Sequence, residues 1–381
     1  MRTRVTEMFG IDFPIFAFIH CRDVVAAVSA AGGLGVLGAV AHTPEQLHVD
    51  LAWIRERTGG RPFGVDLLMP RKYAGAEEGG LDAAGLRAML PDEHRQWIDE
   101  LLERYGVPAM PAGGEEAEGG ERRRVLAIDP KSMAPLIDVA FEHRIALLAS
   151  ALGSPPPWVV ERARTERIPV AALAGRLDHA VAHRDAGVDL VIAQGTEGGG
   201  HTGEIGTMVL VPQVVDAVAP IPVLAAGGIA SGRQIAASLA LGAEGVWCGS
   251  VWLTTHEAET VPVVKEKFLA ATSNDTRRSR SLTGKPARML RTAWTDAWEE
   301  PGAPPALPMP LQSMLVADAQ RRIHRVAHHP DTGAHQLVTY FVGQVVGQMN
   351  VAKPTRAVVA EMVEEFLDAA ERIGGILADE P

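Results

Sequence analysis

Residues 194–203, QGTEGGGHTG, decide how the rest of the chain is read. They follow the apolar run DLVIA at 189–193 and precede a helix-like stretch, TMVLVPQVVDAV, at 207–218. A strand, a glycine turn and a helix in that order make one βα unit. Gly198, Gly199 and Gly200 have no Cβ, so the main chain there can take positive φ and lie flat against a planar ligand. His201 follows at once, and histidine is the side chain most easily tuned to trade a proton near neutral pH. Taken alone, GGGH also fits a surface loop whose histidine caps the next helix. Its place at the carboxyl end of a strand, where α/β sheets bind ligands, favours a site.

The same rhythm extends in both directions. Upstream, apolar runs at 13–19, 34–39, 63–69, 145–151 and 168–173 read as strands. Helices are expected between them over 23–31, 44–56 with Thr43 as N-cap, 131–143, from PPPW at 155–158, and over 177–186. Downstream, strands at 222–226 and 245–252 alternate with helices at 207–218, 233–241 and 259–271. Eight such units close into a (β/α)8 TIM barrel, the α/β fold class expected here. An open doubly wound sheet would carry G-x-G-x-x-G after the first strand, where this chain has IHCR at 19–22.

The rhythm breaks at about 70–129, which reads as an insertion after strand 3. It contains an amphipathic helix over 92–105, with Trp97, Ile98, Leu101, Leu102 and Tyr105 on one stripe. The following PAGGEEAEGGERRR (111–124) is rich in glycine and charge, which predicts a mobile tip. Beyond 275 the pattern changes again, through proline-rich and histidine-rich stretches to an amphipathic helix over 355–373. The chain therefore divides into a barrel at 1–275 and a helical extension at 276–381 packed on it.

Composition excludes several classes of function. With 381 residues, 47% hydrophobic and 22% charged, the chain can bury a large core of ordinary globular type. A net charge of −11 with no basic block argues against nucleic acid as a partner. Two cysteines, Cys21 and Cys248, allow neither a disulfide framework nor a cysteine zinc site. The N-terminal MRTRVTEMFG has no signal-peptide core, and no apolar span approaches ~18 residues, so a cytoplasmic protein without a membrane partner is expected. His324, His328, His329 and His335 lack cysteine or carboxylate at ligand spacing and read as a solvated helix end, not a metal site. Trp294, Trp298, Met309, Met314 and Tyr340 either pack the extension or line a cavity.

Strand 7 ends in AAGGIASG (225–232) and strand 8 in WCGS (247–250). In barrels of this kind the loops after strands 7 and 8 commonly hold a phosphate. Turn amides and a helix N-terminus are the donors a dianion needs. Two tight βα turns chosen for packing would look similar, and Cys248 fits a small buried residue.

AAVSAAGGLGVLGA (26–39), FGVDLLMP (63–70), VIAQGTEGGGH (191–201), PVLAAGGIASG (222–232) and GAEGVWCGS (242–250) together resemble the nitronate monooxygenase (2-nitropropane dioxygenase) family, closest to its actinobacterial members. TGKPAR (283–288) and VGQVVG (342–347) carry a weaker likeness. The resemblance implies FMN, with its phosphate on Gly228 and the segment Trp247, Cys248, Gly249 and Ser250, and with Gly227 and Asp66 also among the cofactor-binding residues. It implies further that Gln194 and Gly199 meet the ribityl or ring region and that His201 is the catalytic histidine. The implied reaction oxidises an alkyl nitronate, and by extension a nitroalkane, with O2 to a carbonyl compound and nitrite. A histidinium would hold the anion, whereas a neutral imidazole would take the Cα proton of a nitroalkane. A small-molecule substrate and O2 are the implied partners, and a homodimer is compatible with the resemblance. Two departures stand out: Asp66 occupies a position where the family carries an Asn touching the flavin, and the first loop lacks a QAPM-type segment. His20 fills that shortened loop, read first as a helix cap and second as another polar group of the site. An NAD(P)H-dependent flavin reductase acting on an enone or acyl-CoA thioester, or a barrel that binds FMN without catalysis, are the alternative readings.

Overall fold

The computed structural model describes residues 1–69, 83–110 and 130–378, so the tip at 111–124 lies outside the described residues. Strands β1 (Ile15–Ile19), β2 (Leu34–Gly38), β3 (Phe63–Leu67), β4 (Leu147–Ser150), β5 (Val170–Ala174) and β6 (Leu190–Gln194) come first. A short strand β7 (Gly200–His201) follows, then β8 (Val223–Ala226) and β9 (Gly245–Cys248). The order β1-β2-β3-β4-β5-β6-β8-β9 closes into a barrel, with Phe16 of β1 opposite Trp247 of β9. This is the (β/α)8 barrel that the sequence predicts.

Successive strand side chains point to opposite faces, and this alternation fills the barrel. Phe16, Leu34, Val36, Leu147, Ala149, Ala171, Leu190, Ile192, Leu224, Ala226 and Trp247 form the interior. Their strand neighbours, such as Val65, Leu67, Val170, Val191 and Ala193, face the surrounding helices. A helix that the sequence pattern does not announce, Arg4–Phe9, starts at a Thr3–Thr6 capping box. Its Val5 and Phe9 join the interior cluster, with Phe9 edge-on to Phe16 at 5.4 Å. The expected Thr43 cap is present: Gln46 N donates to Thr43 Oγ1 at 3.2 Å at the start of Pro44–Arg57. The eighth barrel strand is shorter than expected. It ends at Cys248 because Ser250–Trp252 coils into a 3-10 turn, whose Trp252 indole N–H donates to Cys248 O at 2.8 Å.

The C-terminal extension is mainly helical, with one addition. Strands β10 (Thr276–Ser279) and β11 (Ala287–Leu290) join β7 in a three-stranded antiparallel sheet of order β10-β11-β7. A second core unites Ile98, Leu101, Leu102 and Val107 with Val264, Phe268, Trp294, Ile323 and Val342. It welds the described part of the insertion to the extension. The last helix, Thr355–Ala378, sends Val358, Val359 and Met362 into the outer barrel core. No described helix is long and apolar enough to cross a membrane.

Candidate active site

A cavity of about 510 Å3 opens at the carboxyl ends of the strands. Strand alternation aims Phe18, Asp66, Leu173, Gln194, Ala226 and Trp247 into its floor. All ten residues named from the sequence line it: His201, Asp66, Gln194, Gly199, Gly227, Gly228, Trp247, Cys248, Gly249 and Ser250. Their convergence results from barrel closure, which brings the ends of β3, β6, β8 and β9 to one rim.

The histidine segment is not the free hinge its glycines suggest. Of Gly198, Gly199 and Gly200, only Gly200 takes a positive φ, at 74°. Gly200 and His201 are paired in β7 with Arg288 and Ala287 of β11. Upstream, the Arg288 guanidinium donates to Thr196 O at 2.8 Å. The Glu197 carboxylate accepts from the Thr207 N–H at 3.0 Å and the Thr207 hydroxyl at 2.9 Å, capping the helix Thr207–Val218. Gln344 N donates to Glu197 O at 2.9 Å, so the extension holds the loop from the other side. A Cβ on Gly199 would stand 2.8 Å from Gly343 N and 3.0 Å from Ser250 Oγ. Close packing is therefore enough to require glycine there.

His201 Nε2 lies 2.9 Å from Thr283 Oγ1. With the Thr283 hydroxyl donating to Lys285 O at 3.2 Å, its oxygen accepts from Nε2–H. That arrangement puts the ring's lone pair on Nδ1. Burial, reinforced by the Lys285 ammonium, pulls the imidazole down to about 4. The ring is thus neutral at pH 7, and the histidinium alternative loses its support. Thr283 was not singled out from the sequence, although it opens the quoted TGKPAR. Only the β7–β11 pairing shows that it meets the histidine.

The two glycine turns also differ from expectation. Gly227 and Gly228 have φ of 94° and 70°, conformations open to glycine at little cost. A Cβ at Gly227 would stand 2.7 Å from Gly195 O, and Gln234 ties the turn by accepting from Ala230 N at 2.8 Å and donating to Gly228 O. At the helix N-terminus expected to face a phosphate, the first amide is already engaged, since Gly232 N donates to Glu365 Oε2 at 2.8 Å. Among the described lining residues there is no Lys or Arg. Cys248 is buried, and burial pushes its thiol up to about 12, which leaves it unreactive.

His20 does not cap a helix. Arg22–Ala30 begins at Cys21 without a side-chain cap, and His20 Nδ1 instead donates to Gly38 O at 2.8 Å while its ring lines the cavity. From the extension, Met309 and Tyr340 line the cavity together with Phe341. Trp294 is fully buried in the second core, and Trp298 packs on Trp97 with ring centroids 4.8 Å apart. Cys21, Asp23 and Glu259 bring possible ligand atoms within 4.8 Å of one another. However, burial raises the Cys21 thiol, whose Sγ donates to Glu257 O at 3.2 Å, so it is a poor ligand.

A closed parallel barrel with a neutral histidine and glycine turns on its carboxyl rim has the architecture of the flavin-dependent barrel oxidoreductases. The nitronate monooxygenase family model matches residues 2–365, and the chain belongs to that family. The Mycobacterium tuberculosis protein Rv1533, provisionally named a monooxygenase, is 63% identical over 99% of this chain and 100% of its own. A Staphylococcus saprophyticus protein named as a probable nitronate monooxygenase is 32% identical over 79% of this chain and 81% of its own. Among solved structures, nitroalkane oxidase from Streptomyces ansochromogenes superposes with a TM-score of 0.77 at 27% identity, covering 97% of this chain and 99% of that one. The protein is accordingly an enzyme of flavin oxidoreductase type.

Proposed function

We propose that this chain binds FMN in the rim cavity and oxidises alkyl nitronates with O2 to carbonyl compounds and nitrite. Two nitronates and one O2 give two carbonyl groups and two nitrites, which balances atoms and charge. The residues present fit a flavin. The Gly227–Gly228 turn is shaped for close backbone approach, and Gly249 and Ser250 stand beside it on the next strand end. These four would hold the phosphate through main-chain amides. Gln194, Asp66 and Trp247 offer two polar groups and a flat surface to the ring system. When bound, the flavin supplies the electron acceptor and the route of electrons to O2.

The observation that carries the reading is the neutral, clamped imidazole of His201 on the cavity wall. Its Nε2–H is committed to Thr283, so Nδ1 is the atom able to take a Cα proton from a nitroalkane or to meet a nitronate that arrives preformed. The apolar lining, including Phe18, Leu173, Ile229 and Phe341, excludes water and suits alkyl substituents. The test is an anaerobic flavin-reduction screen with propyl-nitronate, NADH and NADPH, followed by aerobic turnover. Bleaching by the nitronate, with O2 uptake and nitrite release, is the expected result. Bleaching by a nicotinamide alone would move the protein to the reductase reading, and bound flavin reduced by none of the three would leave a binding protein.

A further inference from the structure

Among the described residues, Asp66 is the one acidic side chain that a barrel strand aims into the cavity floor, and nothing there neutralises it. Strand alternation turns it inward beside Gly38 of β2 and Ala149 of β4, its register partners. It is 3% exposed, and its Oδ2 is sealed from solvent without a hydrogen-bond partner. Leaving such an atom unpaired is costly, which marks it as a group waiting for a ligand. We propose that Asp66 enters the flavin site as a neutral carboxylic acid and donates a hydrogen bond to the bound flavin. This rests on the proposed flavin site and assigns a role to the departure from the family's asparagine.

The surroundings argue for the neutral form. Phe18, Leu68, Ala151 and Leu173 share the floor, and no described Lys or Arg lines the cavity. The titratable groups facing the same space are His20, Cys21, His201, Cys248, Glu259 and Tyr340. His20 has its Nδ1 proton committed to Gly38 O, His201 is neutral, Cys21 is held as a thiol, and burial raises the Cys248 thiol and the Tyr340 phenol so that both stay protonated. Glu259 can only add negative charge. None of these favours a second carboxylate, and burial alone lifts the Asp66 carboxyl well above the ordinary range. A protonated carboxyl has the donor that an asparagine amide has, in nearly the same volume. The substitution therefore preserves hydrogen bonding while making the donor titratable.

The test compares wild type, Asp66→Asn and Asp66→Leu as flavin-loaded proteins, with circular dichroism melting to show that all three fold. The readouts are the FMN dissociation constant and the flavin midpoint potential at pH 7. Asp66→Asn keeps a neutral donor and should match wild type within about twofold in affinity, with an unchanged potential. Asp66→Leu removes the donor and should weaken FMN binding about tenfold, the scale of one hydrogen bond. A raised potential or tighter FMN binding in Asp66→Asn would mean that a negative charge had been removed, and would overturn the proposal. Equal FMN binding by all three would overturn it as well, while leaving the flavin site intact. Failure of wild type to bind FMN at all would instead overturn the site reading and this inference with it.

Discussion

At the scale of single residues, His201 carries the clearest expectations. His201→Asn should reduce nitronate turnover at least ~10²-fold, the usual contribution of an acid–base group. Because the imidazole sits at about 4, kcat/KM should stay level from neutral pH downward and fall only as pH approaches that value. The same shift has a stability consequence. The unfolded chain takes up this proton near the ordinary 6.5, whereas the folded chain resists it down to about 4. Stability is therefore complete above 6.5 and declines as pH falls through that window, by up to about 3 kcal/mol. Urea midpoints at pH 7 and pH 5 should show a smaller loss in His201→Asn than in wild type. Thr283→Val should leave KM nearly unchanged but lower kcat, because it frees the tautomer without touching the cavity volume.

Among the elements, the pair β7 and β11 determines the site. Gly343 packs against the loop, and a Cβ there would stand 2.6 Å from Glu197 O and 3.0 Å from Gly199 N. Gly343→Ala should therefore push the segment around Glu197 away from the extension. Faster hydrogen exchange at residues 196–201 and easier loss of flavin are the expected outcomes. Unchanged exchange would show that the extension does not restrain the histidine. The segment's glycines were legible as a backbone requirement but not as a close approach between two distant strands. Sequence spacing gives no sign that residues 200–201 and 287–288 are neighbours.

The whole molecule is held by contacts between barrel and extension. At Gly232 a Cβ would collide with Met362 O and Phe366 N of the last helix. Gly232→Ala should cost about 1–3 kcal/mol as overpacking and release the helix Thr355–Ala378, read as lost amide protection along it. Ligand binding acts in the opposite direction. Since Met309, Tyr340 and Phe341 form part of the cavity wall, FMN should increase protection in the extension as well as in the barrel.

What the sequence determined by itself was local and periodic. Alternating apolar runs and caps such as Thr43 specify strands and helices through neighbouring residues, and eight βα units leave few ways to close. The glycine turns after β6, β8 and β9 and the histidine after Gly200 were therefore visible in order along the chain. What the tertiary structure decided depends on residues far apart in sequence. It seats the His201 proton on Thr283, occupies the Gly232 amide with Glu365, turns His20 from a helix cap into a cavity group, and leaves Asp66 buried without a partner. Each of these outcomes is set by desolvation and hydrogen-bond partners, and both exist only once the barrel has closed and the extension has packed against its rim.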